Sequence, residues 1–257
     1  MGLEINILGP CEVTADGEPA TLIGKRRVAV LTKLALNAGQ AVPAERLRGQ
    51  VWADGAAATA GKQLHIVVSK LRDALPPQVI VTVPGGYRLD LPRESVDAHR
   101  FTLLTAEARA ARRDGDLAAA DRLYREALAL WRGDALSGMT DPWAQAESAR
   151  LEAERLTVLE EHVDVRLAAG EHHEVVPALM AHIEAHPLRE RPRAQLMLAL
   201  YRASRPSEAI EVYRETRRTL ADELGIEPGP ELRRLLQSVL HRDPALDPPR
   251  PGQLVGG

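Results

Sequence analysis

Two lysines, a serine and an isoleucine lie on one side of segment 59–75, TAGKQLHIVVSKLRDAL, in a pattern that suits contact with double-stranded DNA. The opposite side is apolar and consists of Leu64, Val68, Leu71 and Leu75. These residues recur at spacings of four, three and four, which is the period of a helix. At about 100° per residue, the polar side carries Lys62, Ile66, Ser69 and Lys70, with His65 and Arg72 on its flanks. An ordinary amphipathic surface helix would show the same pattern, so the spacing alone leaves both interpretations open.

Each side chain on the polar side could make a contact with DNA that suits its chemistry. Lys62, near the start of the helix, is expected to bond a phosphate, where the helix N-terminus also presents its amides. Arg72 is also expected to bond a phosphate. The remaining four are candidates for base edges, because lysine can bond guanine and an aliphatic side chain can touch a thymine methyl group: His65, Ile66, Ser69 and Lys70.

A strand–turn–strand pattern follows this helix directly, in VIVTVPGGYRLDL (79–91). Pro84-Gly85-Gly86 is a turn signal between two strand-like runs. Such a hairpin after a groove-reading helix is a wing, and Thr82 and Arg88 are then candidates for contacts with the DNA backbone. An ordinary hairpin is the alternative at this point.

The charge of the chain is unevenly distributed. Residues 19–75 carry nine basic and three acidic residues, a net charge of +6, whereas the whole chain carries −3. All four lysines precede residue 71. A basic segment on an otherwise acidic chain is typical of a nucleic-acid-binding module attached to another domain.

Length and composition limit the remaining possibilities. A chain of 257 residues predicts two domains, and its single cysteine, Cys11, excludes a disulfide within the chain. The sequence shows neither a long apolar run nor a secretory leader, so we expect a cytoplasmic protein with no membrane partner.

The N-terminal part has the order of a winged helix-turn-helix. Short strands are expected around Leu3–Ile7, 11–14 and 20–23, followed by helices at 25–37, 44–52 and 59–75 and then by the hairpin. We therefore predict a DNA-binding domain over residues 1–92 in which the third helix enters the major groove.

The remainder reads as helical repeats. Three segments align at their turns, from Gly115, Gly170 and Ser204, and the last two begin 34 residues apart, which is the period of tetratricopeptide helix pairs. The fold class predicted for the whole chain is mainly α with a small β component, with an all-α tetratricopeptide-like domain over residues 93–246 and a flexible tail over 247–257.

Two kinds of motif resemble sites of other protein classes, a phosphate-binding loop and a zinc site. GAAATAGKQ (55–63) lacks the first glycine and the hydroxyl of a phosphate-binding loop, since Ala56 and Gln63 occupy those positions. His172-His173 and the pair His182 and His186 lack the cysteine or HExxH context of a zinc site. We therefore predict no catalytic residue, no metal, no cofactor and no enzyme activity.

Taken together, these segments resemble the Streptomyces antibiotic regulatory proteins, whose two halves are an OmpR-type winged helix and a bacterial transcriptional activator domain. The resemblance rests on LHIVVSKLRDAL (64–75), VTVPGGYRL (81–89), ALALWRGDALSG (127–138) and the long stretch 186–235. The chain departs from the family pattern at Val83, where related wings often carry arginine. It also departs at His65 and Val67, which replace the more usual glutamine and aromatic residue.

The resemblance implies a transcriptional activator that binds direct repeats in promoter DNA as a side-by-side pair or homodimer and recruits RNA polymerase with its sigma factor. The expected target is an antibiotic gene cluster, as for the short, pathway-specific members of the family, which the chain resembles in length. The loop 53–58 and the helical repeats are the expected polymerase surfaces. The alternative is a helical-repeat scaffold or adaptor without specific DNA recognition, which the basic segment argues against.

Overall fold

The computed structural model describes residues 2–20, 23–52 and 57–247. Its helices far outweigh its strands, and the strands lie only in the N-terminal part, so the predicted fold class is confirmed. Contacts divide the chain into two compact units. The first unit is Met1–Glu107 with Arg125–Leu156, and the second is Ala108–Tyr124 with Thr157–Gly257. Compact packing therefore continues beyond residue 92, and the module boundary expected there stays a prediction.

The first unit begins with a three-stranded antiparallel sheet, β1 (Leu3–Asn6), β2 (Glu12–Ala15) and β3 (Glu18–Pro19). Alternation along β1 buries Leu3 and Ile5 and leaves Glu4 exposed, as the sequence predicts. The third strand is shorter and earlier than expected, and residues 21 and 22 lie outside the described part of the chain.

The helix-turn-helix follows as α1 (Lys25–Ala35), α2 (Ala44–Val51) and α3 (Ala57–Ala74). These three helices pack against one another, and α1 also packs against strand β6 (Gly86–Leu89). Each element contributes a fully buried leucine to the core, and the set consists of Leu34, Leu47, Leu64, Leu71 and Leu89. Helix α1 ends two residues earlier than predicted, because Leu36 already caps it.

A second three-stranded sheet has the order β4–β6–β5, where β4 is Ala41–Pro43 and β5 is Ile80–Val83. The hairpin β5–β6 was predicted, whereas β4 was not. Strand β4 is only three residues long and pairs Val42 with Tyr87, so its pattern is too short to reveal a strand.

Helices α4 (Asp97–Arg113), α5 (Leu117–Ala129) and α6 (Pro142–Ala168) follow. The buried carboxylate of Asp97 accepts hydrogen bonds from the amides of Ile7 (2.8 Å) and Leu8 (2.9 Å) at the end of β1. Segment 132–137, between α5 and α6, makes backbone hydrogen bonds to the same two residues. The Arg132 amide donates to the Leu8 carbonyl, and the Leu136 amide donates to the Ile7 carbonyl. The N-terminal strands are thus held by residues more than 80 positions away in sequence.

The second unit contains α7 (Val176–Ala185), α8 (Glu190–Arg202), α9 (Pro206–Leu224) and α10 (Pro230–His241). Its core is formed by apolar residues of these helices, among them Leu179, Met197, Leu200, Ala209 and Val239.

The three turns that align in sequence also share a backbone conformation. Gly115, Gly170 and Ser204 all have positive φ, of 81°, 90° and 60°. In each case the amide of the next residue donates to the carbonyl five positions before it, at 2.9 Å, which is the long hydrogen bond of a Schellman motif. The repeats predicted from sequence are therefore equivalent helix ends as well as equivalent sequence patterns.

Candidate nucleic-acid interface

Helix α3 has one buried and one exposed side, as its period requires. Ala60, Leu64, Val68 and Leu71 are 3% exposed or less and face α1 and α2. The described candidates on the other side, Lys62, His65, Ile66, Ser69, Lys70 and Arg72, are all exposed. Ile66 is 61% exposed, so its aliphatic side chain is available for contact on this side of the helix.

Sequence reasoning missed an acid on this surface. Asp73 is four residues after Ser69 and three after Lys70, so helical spacing places it on the same side. Its carboxylate lies 3.3 Å from the Lys70 Nζ, and both side chains are more than half exposed. Lys70 therefore carries a local counter-ion, and the spacing of Lys70 and Asp73 is the signal that could have revealed it.

Arg72 joins α3 to the hairpin. Its Nε donates to the Ile80 carbonyl at 2.9 Å, and its Nη2 donates to the Thr82 Oγ1 at 2.8 Å. Two of the five guanidinium N–H groups are used in this way. The structure thus brings together two predicted site residues, Arg72 and Thr82, and gives Arg72 a structural role as well as its expected charge.

His65 is held by a residue of the hairpin that sequence reasoning did not select. The Tyr87 hydroxyl lies 2.8 Å from the His65 Nδ1, and the two rings meet edge to face at 74°. Tyr87 is only 4% exposed, and this burial raises the pKa of its hydroxyl, although nearby Arg72 opposes the shift. The phenol is therefore protonated at neutral pH.

The turn of the hairpin is fixed by its glycines. Gly85 has a φ of 75°, which suits glycine, and a Cβ on Gly86 would collide with the backbone of Val42 in β4. The Gly85 carbonyl also accepts a hydrogen bond from the Ala44 amide at the start of α2, at 2.9 Å. The hairpin is therefore tied to the helix-turn-helix on two sides, by β4 and by α2.

The two predicted hairpin contacts differ in their surroundings. Thr82 is exposed at the surface, with its hydroxyl bonded by Arg72. Arg88 is half-buried, and its Nε lies 3.2 Å from the Asp90 carboxylate. Arg88, like Lys70, is thus paired with an acid close to it in sequence.

In segment 55–63, which resembles a phosphate-binding loop, the structure shows another role for Gln63. Residues 53–56 lie outside the described residues, including most of the loop 53–58 expected to meet polymerase. Gln63, which stands at the hydroxyl position of the motif, lies in α3, and its Oε1 accepts from the Trp52 Nε1 (2.5 Å) and the Arg26 Nη1 (2.8 Å). The Arg26 guanidinium also lies over the Trp52 ring, at 5.4 Å from its centroid. Gln63 therefore joins α3 to α1 and to Trp52, the residue that follows α2.

One lysine of the basic segment does not contribute to the surface. Lys33 is 7% exposed, and its Nζ lies 4.6 Å from the centroid of the Trp143 ring. Burial lowers the pKa of the Lys33 ammonium, Arg46 adds to this, and Glu147 opposes it. The net charge of the segment therefore overstates the charge that a ligand would meet.

The two histidine pairs singled out in the sequence are close neighbours in the structure. His172 and His173 have ring centroids 4.7 Å apart, and those of His182 and His186 are 5.1 Å apart. Among the described residues, no group of three or more histidine, cysteine or acidic side chains could hold a metal ion. None of the described helices is long and apolar enough to cross a membrane.

Comparison with known proteins matches both parts of the chain. Residues 17–89 match the family model "Transcriptional regulatory protein, C terminal", and residues 96–240 match "Bacterial transcriptional activator domain". The regulatory protein DnrI of Streptomyces peucetius is 35% identical over 95% of this chain and 94% of its own length. The regulatory protein AfsR of Streptomyces coelicolor is 42% identical over 95% of this chain, which spans only 25% of AfsR.

A solved structure shares the fold. Mycobacterium tuberculosis EmbR, solved in complex with a low-affinity phosphopeptide, superposes with a TM-score of 0.91 at 31% sequence identity. The match covers 94% of this chain and 66% of that one.

Proposed function

The chain belongs to the family of bacterial transcriptional regulators that carry the bacterial transcriptional activator domain, and on this premise we propose that it is a sequence-specific DNA-binding transcriptional activator. Helix α3 enters the major groove of promoter DNA, and the hairpin β5–β6 lies along the DNA backbone. The protein acts in the cytoplasm, where bacterial promoters are. The transcriptional regulator RedD of Streptomyces coelicolor, which is 34% identical over 96% of this chain, supports the same class of function.

The exposed side of α3 is the observation that carries this proposal. Ile66, an aliphatic residue 61% exposed, lies one helical turn from Lys62 and from Lys70. In a major groove this side chain would cover a thymine methyl group while the neighbouring cations bond phosphate or guanine. The buried side of the same helix fixes this orientation, because Leu64 and Leu71 hold it against the core.

The proposal divides the contacts by role. Lys62 bonds a phosphate, and Arg72, Thr82 and Arg88 hold the hairpin against the backbone. Base edges are read by His65, Ile66, Ser69 and Lys70, with Asp73 limiting the attraction of Lys70 for any nearby phosphate. Contacts of the first kind set the affinity for all sequences, and contacts of the second kind set the preference among them.

We further propose the regulatory setting that the family resemblance implies. Two copies bind side by side on direct repeats, RNA polymerase with its sigma factor is recruited, and the target is an antibiotic gene cluster. Helices α7–α10 are one candidate surface for polymerase. These finer statements depend on the resemblance and require their own tests.

The decisive experiment is footprinting of the full chain on the upstream regions of neighbouring genes, combined with duplex affinity measured over a salt series. A specific footprint with an affinity that falls steeply with salt supports the proposal. Each phosphate contact makes the decline of log affinity with log salt steeper by about 0.9. Absence of a footprint together with a salt-independent affinity would favour the scaffold alternative.

A further inference from the structure

The contact between His65 and Tyr87 determines which ring nitrogen of His65 carries a proton. In a neutral imidazole, one nitrogen donates and the other accepts. Tyr87 as a residue is only 4% exposed and its hydroxyl is protonated, so the hydroxyl proton needs an acceptor within the protein. Among the described residues, the His65 Nδ1 at 2.8 Å is the partner of this hydroxyl, so the phenol donates and Nδ1 accepts.

The proton of the neutral ring must then reside on Nε2. Nδ1 is the nitrogen nearer the main chain and Nε2 is the distal one, so the side chain presents an N–H at its far end. His65 is exposed on α3, beside Ser69 and one turn from Lys62. The far end of the imidazole is thus a fixed hydrogen-bond donor on the proposed reading surface.

A fixed donor discriminates among bases. In the major groove, guanine presents two adjacent acceptors, N7 and O6, and no donor. Adenine places its N6 amino donor beside N7, thymine offers only O4 beside its methyl group, and cytosine presents the N4 amino donor, so a fixed donor fits guanine best. A histidine free to exchange its tautomer could present either a donor or an acceptor, and its selectivity would be weaker. The tyrosine of the hairpin therefore adds sequence selectivity without touching DNA itself.

We propose that Tyr87 is a positioning residue that holds His65 in its Nε2–H tautomer, and that His65 in this form selects guanine at one base pair of the operator. This proposal rests on the proposed function, because it names the specificity of the same surface.

The first measurement needs no DNA. Nitrogen-15 NMR of the full chain with labelled histidine, at a pH where the imidazole is neutral, distinguishes the two tautomers, and His65→Gln assigns the signal. The wild-type protein is expected to show His65 with its proton on Nε2. Tyr87→Phe keeps the ring but removes the hydroxyl, so it is expected to give a mixture of tautomers. A wild-type His65 that is already a mixture, or that is protonated on Nδ1, would overturn the proposal.

The second measurement is base preference. The operator is first selected from a library of random DNA duplexes with the wild-type chain, and each position is then substituted singly in competition assays. Tyr87→Phe is expected to reduce a guanine preference at one position by about fivefold, the size of one neutral hydrogen bond. Preferences elsewhere and the salt slope are expected to stay unchanged. Tyr124→Phe is the matched control, since the Tyr124 hydroxyl bonds Glu161.

A third variant separates positioning from stability. His65→Gln replaces the imidazole with an amide that donates and accepts, so the preference at that position is expected to move from guanine to adenine. Adding Tyr87→Phe to this variant should then have no further effect on base preference. An equal effect of Tyr87→Phe in both backgrounds would show that Tyr87 acts only through folding.

The outcomes also separate this inference from the proposed function. Salt-dependent selection of an operator by the wild-type chain, with base preferences that Tyr87→Phe leaves unchanged, contradicts the inference alone. Failure of the wild-type chain to bind any duplex contradicts both.

Discussion

Arg72 in α3 and Thr82 in β5 are joined by a hydrogen bond of 2.8 Å, which the Arg72 Nη2 donates to the Thr82 hydroxyl. A second bond, from the Arg72 Nε to the Ile80 carbonyl, fixes the same guanidinium from another direction. The Arg72 side chain therefore contributes two of the contacts that hold α3 against the hairpin. An arginine on a proposed DNA surface can thus act by shaping that surface as well as by its charge.

This pairing predicts how Arg72 and Thr82 variants differ. Arg72→Ala removes both bonds and one positive charge, so duplex affinity is expected to fall for all sequences alike, with faster hydrogen exchange in β5. Thr82→Val removes one bond and no charge, so the expected loss is smaller, about 1 kcal/mol or less. Affinities for cognate and random duplexes, together with amide exchange, provide the test. A loss confined to the cognate duplex after Arg72→Ala would contradict it.

Lys62 and Lys33 are expected to differ although both belong to the basic segment. Lys62 is exposed on α3, so Lys62→Ala should lower the salt slope of duplex binding by about 0.9, the share of one phosphate contact. Lys33 is buried under Trp143, so Lys33→Met should leave that slope unchanged. Affinity over a salt series distinguishes the two variants, and equal slopes for both would refute the assignment of Lys62.

The buried ammonium of Lys33 also predicts a dependence of stability on pH. Burial lowers the pKa of Lys33 in the folded state. Above the unfolded-state pKa the side chain is a neutral amine in both states, and its burial carries no charge penalty. As pH falls through the folded-state pKa, this advantage is lost because the folded protein must bury an ammonium. The free energy of unfolding gained by Lys33→Met relative to the wild type should therefore be larger at pH 7 and shrink as pH rises toward 10. Urea unfolding at several pH values measures this difference. A gain that grows with pH would be inconsistent with a lowered pKa.

Asp97 is expected to stabilise the N-terminal strands. Asp97→Ala leaves the buried amides of Ile7 and Leu8 without their acceptor and removes the carboxylate that lies 3.5 Å from the Arg132 Nη2. Loss of such a buried acceptor should lower the free energy of unfolding by about 2–4 kcal/mol. Asp114→Ala, at an exposed position, is the control and should change it little. Similar urea midpoints for the two variants would contradict the assigned role.

Ser204 offers a stabilising substitution. It occupies, with a φ of 60°, the position that glycine occupies in the other two aligned turns. Ser204→Gly should raise the free energy of unfolding by roughly 0.5–1 kcal/mol, because glycine has no Cβ to oppose a left-handed conformation. Ser207→Gly, in the first turn of α9, should instead destabilise the protein. Thermal unfolding of both variants provides the comparison, and a lower midpoint for Ser204→Gly would refute the argument.

The elements of the proposed interface could be predicted from local pattern. The apolar period of Leu64, Val68 and Leu71 indicated α3 and its exposed side, and Pro84-Gly85-Gly86 indicated the turn of the hairpin. The three aligned repeats also have equivalent turns. These features depend on residues close together in sequence, so their signal is present in the sequence itself.

Partners that are distant in sequence could not be predicted in this way. Strand β4 is too short to show a pattern, and its pairing with β6 appears only in the fold. The hydrogen bonds of Asp97 to Ile7 and Leu8 span about 90 positions. The burial of Lys33 likewise depends on Trp143, which lies far outside the basic segment 19–75.

By itself, the sequence determined the order of the helices and the hairpin, the orientation of α3 and the side chains it exposes, because helical period and turn residues are local properties. Tertiary structure alone decided what those side chains can do: Arg72 braces Thr82, Tyr87 sets the hydrogen-bonding form of His65, and Lys33 is withdrawn from the surface. The physical reason is that hydrogen-bond partners and burial are set by groups brought together across the fold, and their distance along the chain leaves no periodic trace.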